Sequence, residues 1–279
     1  GRRFGLVPVF EAEPDGRKMV FLDSGVPLLF RVPDLNGCDL VVFDTTCFAT
    51  SSGRIRAVVS RSRSANVPII LLRSHTKLDS LGIEYGRLGS VVVIMPPGVS
   101  AERRRLAERL AEVMQTAIRL FGAAAVPEHL PPFAAGAEWR ALYRDRVARI
   151  VCNNRWAARN LATSLRGRAK VRCYQHGLFL TLDAGATWNE VMARESARHL
   201  ADALRGKGLP VRHAGSFGFD FVVVDGYPAA DDDQFVLRIG FADLPGETAA
   251  QVTTGITAWV AGISGAQRRQ IGTAELATR

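Results

Sequence analysis

The sequence predicts an α/β protein, with a mainly parallel sheet in its first half and a smaller α/β unit in its second half. In the first half, short apolar runs alternate with helical or loop stretches, which is the pattern of an α/β domain. The runs Leu40 to Phe43 and Ile69 to Leu72 are apolar throughout, as is typical of strands covered on both faces. With 279 residues and 47% hydrophobic content, the chain can bury the core of one large or two modest domains.

Four strands and one helix are predicted in the first half. The strands are Met19 to Leu22, Leu40 to Phe43, Val67 to Leu72 and Ser90 to Met95. The run Pro96-Pro97-Gly98 ends the last strand, and Ser100 begins a helix that ends at Gly122. The proline-containing stretch 126–136 that follows is the best candidate for a linker between two domains.

The second half predicts a long helix followed by further strands and helices. The long helix runs from Glu138 to about Leu165. Beyond it we expect the strands Val171 to Leu182, one near Val211, Phe219 to Val224 and Phe235 to Phe241, and the helices Asn189 to Arg205 and Glu247 to Gly262. The runs Asp183-Ala184-Gly185 and Asp225-Gly226-Tyr227-Pro228 are expected to form turns.

Composition argues against both a membrane span and a nucleic-acid partner. No stretch reaches the roughly 18 apolar residues that a spanning helix needs, and no signal-type apolar core follows Gly1-Arg2-Arg3, so the cytoplasm is the expected compartment. The net charge is +9, but arginines alternate with glutamates in helical stretches such as Ala101 to Arg119. A solvated, arginine-rich surface is therefore expected in place of a nucleic-acid face.

The cysteines predict neither a metal site nor a disulfide framework. They are widely spaced, without a C-x-x-C pair and without a histidine at ligand spacing. Free, mostly buried thiols are expected at these positions: Cys38, Cys47, Cys152 and Cys173.

Polar residues that can carry chemistry follow successive predicted strands. Asp44 comes directly after Leu40 to Phe43, and Ser74-His75-Thr76-Lys77 follows the strand that ends at Leu72. Arg87 precedes the strand that begins at Ser90. Because open α/β sheets bind ligands at the carboxyl ends of their strands, these residues mark a candidate site.

The residue types match the needs of pyridoxal 5′-phosphate (PLP). This cofactor needs a lysine to hold its aldehyde as a Schiff base, a carboxylate to keep its ring nitrogen protonated, and donors for its phosphate. Lys77 and Asp44 can fill the first two roles, and Ser74, Thr76 and Arg87 can donate to the phosphate. Taken alone, Asp44 can equally cap a helix, and Arg87 can form a surface ion pair.

Three motifs resemble those of the fold type I PLP enzymes, the aspartate-aminotransferase-like group. These are Val42-Phe43-Asp44-Thr45-Thr46-Cys47-Phe48, Ser74-His75-Thr76-Lys77 and Arg87-Leu88-Gly89, which are similar to the family's Asp, Ser-x-x-Lys and Arg-x-Gly motifs. The interval of 33 residues from Asp44 to Lys77 is also close to the family's. The stretch from Val20 to Asp44 resembles the cysteine and methionine metabolism branch.

The resemblance also extends to the second half of the chain. Phe235-Val236-Leu237-Arg238-Ile239 is similar to the family's strand whose arginine binds the substrate α-carboxylate, which implies that role for Arg238. On this basis residues 1–130 are expected to form the second half of a PLP-binding large domain. Residues 131–279 are expected to supply an interdomain helix and a small C-terminal α/β domain.

The resemblance implies a PLP-dependent transformation of an amino acid, with Lys77 as the catalytic base. An aminotransferase is the first expectation, and a carbon–sulfur lyase or a γ-replacement enzyme is the alternative. A different class of function, a non-catalytic partner or fragment with the PLP fold, also stays open.

The sequence departs from the family in three respects. Val26 and Cys47 stand where the family has an asparagine and a tyrosine that donate to the ring oxygen. The family's long N-terminal segment, with its phosphate-binding small residues and ring-stacking aromatic, has no counterpart in this sequence. We therefore expect an incomplete large domain that is completed by a further part of the protein, by a second copy in a homodimer, or by a complementing chain.

Overall fold

The computed structural model describes residues 3–4, 7–12, 16–25, 32–82, 88–122, 136–184, 188–215, 217–229 and 234–263. The chain divides into two compact units, Gly1–Arg140 and Ala141–Arg279. Each combines a sheet with helices, which confirms the predicted α/β class. Most of the predicted linker 126–136 lies outside the described residues.

The first unit contains a six-stranded sheet. Its strands and helices are β1 (Arg3–Phe4), β2 (Val7–Ala12), β3 (Arg17–Asp23), β4 (Leu40–Asp44), α1 (Gly53–Ser64), β5 (Ile69–Ser74), β6 (Gly89–Ile94) and α2 (Ala101–Leu120). The strands follow one another in chain order across the sheet. The central strands β3, β4 and β5 are parallel, whereas β1, β2 and β6 pair antiparallel with their neighbours.

Helices cover both faces of the central strands, which explains their apolar runs. On one face, Val41 and Ile69 pack in a buried cluster with Val58 of α1. On the other face, Leu40 and Ile70 pack with Ala107 of α2. Successive residues of a strand point to opposite faces, so the part of a strand that is covered on both faces is apolar at every position.

Capping residues set the helix ends in the first unit. The Ser100 hydroxyl accepts a hydrogen bond from the Arg103 amide, as expected of a residue that begins a helix. Gly122 has a φ of +61° just after α2, a conformation that glycine adopts without strain. The sequence did not distinguish α1 from a loop, because it is rich in arginine and serine and its first turn has no acidic residue.

The second unit contains a five-stranded sheet. Its helices and strands are α3 (Ala137–Ser164, which begins in the first unit), β7 (Lys170–Cys173), β8 (Leu180–Asp183), α4 (Glu190–Arg205), β9 (Val211–His213), β10 (Val222–Pro228), β11 (Phe235–Gly240) and α5 (Gly246–Gly262). The strand order is β7-β8-β11-β10-β9, and β9 and β10 form the parallel pair. Leu237 and Ile239 of β11 are buried with residues of α4 and α5, and the alternation of the strand turns Arg238 to the opposite face.

Two sequence predictions in this unit were wrong. The expected strand Val171 to Leu182 is two antiparallel strands, β7 and β8, joined by a turn in which Gly177 has a φ of +74°. The expected turn at Asp225 to Pro228 is instead the second half of β10. Glycine is required at position 226 because the strand passes close to α4 there, and an added Cβ would lie 2.9 Å from the backbone nitrogen of Arg194.

Within the described part of the chain, no helix is long and apolar enough to cross a membrane. The four cysteines of the chain, all among the described residues, form no disulfide, and Cys38 and Cys47 are buried.

Candidate cofactor site

The predicted site residues of the first unit lie at one edge of its sheet. Asp44 is the last residue of β4, and Ser74 is the last residue of β5. Because these two strands are parallel neighbours, their carboxyl ends lie side by side. Asp23, which ends β3, pairs in register with Asp44 and brings a second carboxylate to the same edge.

The turn after β4, residues 45–48, is held by short hydrogen bonds and is called the Asp44 turn below. The Asp44 carboxylate accepts a hydrogen bond of 2.8 Å from the Thr46 amide. The Ser24 amide donates to the Asp44 carbonyl at 3.0 Å, and the Cys47 amide donates to the Ser24 hydroxyl at 2.9 Å. The ends of β3 and β4 are therefore joined through both backbone and side chain.

The segment after β5, residues 75–82, carries Lys77 and is called the lysine loop below. The Ser74 amide donates to the Thr46 hydroxyl at 3.0 Å, which ties the start of the lysine loop to the Asp44 turn. The hydroxyls of Ser74 and Thr76 lie 3.0 Å apart. At the far end, the Gly82 amide donates to the Lys77 carbonyl at 3.0 Å and closes the loop.

A largely buried ion pair links the lysine loop to the Asp44 turn. The Arg73 guanidinium donates through Nε and Nη2 to the Asp79 carboxylate, at 2.6 and 2.5 Å. Its Nη1 donates to the carbonyls of Thr45 and Phe48, each at 2.8 Å. The Arg73 side chain is only 8% exposed, so water competes little for these bonds.

His75 extends this network to β6. Its Nδ1 lies 2.7 Å from Asp79 Oδ2, and its Nε2 lies 2.8 Å from the Ser90 hydroxyl. Burial acts to raise the pKa of Asp79, but the hydrogen bonds from Arg73 and His75 outweigh it and lower that pKa below its ordinary value. Asp79 therefore stays a carboxylate and keeps both partners in place.

Burial raises the pKa values of two residues near the strand ends, Asp23 and Cys47. Burial raises the pKa of Asp23, a hydrogen bond from the Gly25 amide acts to lower it, and the charges of Asp44 and Lys77 act in opposite directions. Burial also raises the pKa of the Cys47 thiol to about 12. Cys47 is therefore a neutral thiol at ordinary pH.

The donor set at this edge fits PLP. It combines a lysine, two carboxylates and the hydroxyls of Ser74 and Thr76, which are the groups that the aldehyde, the ring nitrogen and the phosphate require. Gly25 permits the close packing of the strand ends, since an added Cβ would lie 3.2 Å from Cys47 Sγ and 3.3 Å from an Asp23 carboxylate oxygen.

Two of the sequence predictions cannot be placed. Arg87, the predicted phosphate ligand, and Val26, one of the departures from the family, lie outside the described residues. The described residues also contain no group of three or more metal-ligating side chains that could hold a metal ion.

The predicted carboxylate-binding residue, Arg238, lies in the second unit. Its guanidinium carbon lies 5.1 Å from the centroid of the Tyr227 ring and 5.6 Å from that of Phe179. Its Nη2 donates to an Asp225 carboxylate oxygen at 3.2 Å. Among the described residues its buried Nε has no hydrogen-bond partner. Arg238 therefore lies against two neighbouring aromatic rings, and its buried Nε is not used within the described residues.

The sequence did not identify three candidate functional residues, Asp79, Arg73 and Asp225. Asp79 and Arg73 flank the Ser-x-x-Lys motif, and this pair of opposite charges on either side of the lysine was the signal in the sequence. Asp225 gave no such signal, because it meets Arg238 only through the antiparallel register of β10 and β11.

Comparison with solved structures supports the fold. No family model matches the chain, and no curated protein matches it by sequence. An aminotransferase from Mycobacterium tuberculosis superposes with a TM-score of 0.51 at 15% identity, over 90% of this chain and 59% of that one. A Campylobacter jejuni protein named as an O-acetylhomoserine (thiol)-lyase, which contains N′-pyridoxyl-lysine-5′-monophosphate, superposes with a TM-score of 0.50 at 13% identity.

The superposition with the Campylobacter jejuni protein covers 79% of this chain and 65% of that one, so this chain spans less than two thirds of either protein. Identities this low establish the architecture and leave the reaction open. The chain has the fold of the fold type I PLP-dependent enzymes.

Proposed function

We propose that this chain is part of a PLP-dependent enzyme that transforms an amino acid. The observation that carries the proposal is the connection between the lysine loop and the Asp44 turn at neighbouring strand ends. Arg73 alone bonds to Asp79 on one side and to the carbonyls of Thr45 and Phe48 on the other. A site that needs a lysine and a carboxylate at fixed separation requires this kind of support.

The chain's own residues have separate roles in this proposal. When bound, PLP supplies an electron sink for bonds at the substrate Cα. Lys77 would hold the cofactor through its amine, and the same amine would take the Cα proton of a bound substrate. Asp44 would keep the proton on the ring nitrogen, and Ser74, Thr76 and Arg87 would donate to the phosphate.

Substrate binding is assigned to Arg238. A planar guanidinium recognises a carboxylate through parallel hydrogen bonds, and the Nε of Arg238 has no hydrogen-bond partner among the described residues, which supports this role. The substrate class is therefore an α-amino acid.

The reaction type has two candidates. Amino transfer is the first, and cleavage of a carbon–sulfur bond by elimination, or replacement at the γ carbon, is the second. Of the two structures with the same fold, one is named as an aminotransferase and the other as an O-acetylhomoserine (thiol)-lyase. Both reactions begin with removal of the Cα proton, so the same residues serve either one.

We also propose that β6 is where the large domain is completed, by a second copy or by a complementing chain. In the described sheet β6 is the outermost strand, and its Val91 and Val92 are 41% and 48% exposed. An exposed apolar edge strand favours pairing with another strand. Sedimentation of the parent and of Val92→Lys tests the second copy: we expect an assembly that the variant weakens, and a parent that remains monomeric at all concentrations excludes the second copy and leaves only the complementing chain.

The functional test uses the purified chain loaded with PLP and a panel of amino acids. We expect turnover that is lost in Lys77→Ala. Formation of a 2-oxo acid with transfer of the amino group to an added 2-oxo acid indicates an aminotransferase, and release of ammonia with a thiol or sulfide indicates a lyase. Lack of turnover in the assembled protein, despite PLP bound at Lys77, indicates the non-catalytic alternative.

A further inference from the structure

Arg238 meets a carboxylate within its own sheet. Asp225 of β10 lies directly opposite Arg238 in the antiparallel register with β11, and both side chains point away from α4 and α5. The distance from Arg238 Nη2 to Asp225 Oδ2 is 3.2 Å. The other oxygen of Asp225 lies 3.6 Å from His213 Nε2.

The ion pair of Arg238 and Asp225 is mostly buried but remains partly accessible to water. The side chains of Arg238 and Asp225 are 13% and 20% exposed, so their attraction is only partly screened by water. The rings of Phe179 and Tyr227 lie near the guanidinium and restrict its movement. Gly215 allows the close approach of Asp225, because an added Cβ would lie 3.2 Å from Asp225 Oδ2.

The hydrogen bonding of Arg238 is incomplete. A guanidinium has five N–H donors, and Asp225 accepts from Nη2 while the buried Nε lacks a partner among the described residues. A buried donor without an acceptor is costly, so a ligand carboxylate that reaches Nε gains a hydrogen bond which the protein does not supply. The same ligand then lies close to the negative charge of Asp225.

We propose that Asp225 determines which carboxylates Arg238 accepts. The inference rests on the proposed role of Arg238 as the carboxylate ligand. Asp225 neutralises part of the guanidinium charge and repels a second negative charge nearby, so the site prefers ligands with one carboxylate over ligands with two. The substrate class narrows to amino acids whose side chain is neutral or cationic.

The test measures binding of pyruvate, with one carboxylate, and 2-oxoglutarate, with two, to the full chain by calorimetry. We expect the parent to bind pyruvate more tightly. In Asp225→Asn we expect both ligands to bind more tightly, by about tenfold for pyruvate and by more for 2-oxoglutarate, so that the preference disappears. Asp225→Glu retains the charge and is expected to retain the preference.

The outcomes separate this inference from the proposed function. If Arg238→Ala abolishes binding while Asp225→Asn changes neither affinity, Arg238 binds carboxylates but Asp225 does not select among them, and this inference alone fails. If Arg238→Ala binds pyruvate as the parent does, the carboxylate role of Arg238 fails and the inference fails with it. If the parent prefers 2-oxoglutarate, the inference is overturned without any variant.

Discussion

Arg73 and Asp79, six residues apart on either side of Lys77, form an ion pair with two hydrogen bonds of 2.6 and 2.5 Å. Because the remaining nitrogen of Arg73 bonds to the carbonyls of Thr45 and Phe48, the pair fixes the lysine loop against the Asp44 turn. The geometry of the candidate site thus depends on residues that need not touch the cofactor.

Replacing Arg73 with lysine tests this dependence. Lysine keeps the charge but cannot form two bonds to Asp79 and reach two carbonyls at once. We expect the free energy of unfolding to fall by about 2 kcal/mol, less than for a fully buried pair because Asp79 is partly exposed. We also expect PLP affinity to fall about tenfold, as measured by cofactor titration.

Arg61→Lys is the matched control for that variant. Arg61 lies exposed in the last turn of α1, so the same exchange there should change stability by less than about 0.5 kcal/mol. Equal PLP affinity in Arg73→Lys and the parent would show that the network does not position the lysine loop.

Asp79 also predicts a dependence of stability on pH. Its pKa is lowered in the folded chain from the ordinary 3.8, because the hydrogen bonds from Arg73 and His75 outweigh burial. A lowered folded pKa contributes stability that is present above pH 3.8 and is lost as the pH falls through the folded value. Urea unfolding between pH 7 and pH 3 should therefore show a smaller decline in Asp79→Asn than in the parent.

The comparison has to be made as a difference between parent and variant. Asp243 in the second unit also has a lowered pKa, chiefly because of a hydrogen bond from Arg149. Its protonation therefore lowers the stability of the parent and of the variant alike as the pH falls. Parallel curves for the parent and Asp79→Asn would mean that Asp79 has an ordinary pKa in the folded chain.

The cysteines differ in their expected reactivity. Burial raises the pKa of Cys47 to about 12, whereas Cys152 is exposed. Because the thiolate is the reactive form, an alkylating reagent at pH 8 should modify Cys152 quickly and Cys47 only after unfolding. Mass mapping after timed alkylation measures both sites in one sample, and early modification of Cys47 would contradict the buried position assigned to it.

Alanine substitutions at Gly177 and Gly208 distinguish the effect of backbone strain from that of steric overlap. Both have a positive φ, +74° and +76°. An added Cβ at Gly177 would lie 2.8 Å from Val151 Cγ1, while one at Gly208 would meet nothing within 4 Å. We expect alanine at Gly208 to lower the free energy of unfolding by about 1 kcal/mol, and alanine at Gly177 to lower it further. Equal losses in chemical denaturation would remove the steric part of the explanation.

The sequence predicted the features that arise from local pattern. The apolar runs located β4 and β5, and the polar residues that follow them located the edge where Asp44 and Ser74 lie together. Serine at position 100 and glycine at position 122 located the ends of α2. In each case one residue or one short run determines the local structure.

Features that depend on tertiary register were beyond the sequence. The pairing of Asp225 with Arg238 requires β10 to continue through a stretch with a typical turn composition, where Gly226 serves a close approach to α4. The division of the stretch from Val171 to Leu182 into two strands requires the turn at Gly177. The hydrogen bonds of Arg73 to Thr45 and Phe48 likewise form only once β4 and β5 are adjacent.

Whether Lys77 holds the cofactor can be measured by adding PLP to the purified chain, reducing the product with borohydride and mapping the modified lysine by mass spectrometry. The chain has four lysines, so Lys18, Lys170 and Lys207 serve as internal controls. We expect the pyridoxyl group to lie on Lys77 at one equivalent of cofactor and to be lost from that peptide in Lys77→Arg. Equal labelling of all four lysines, or labelling that avoids Lys77, would contradict it.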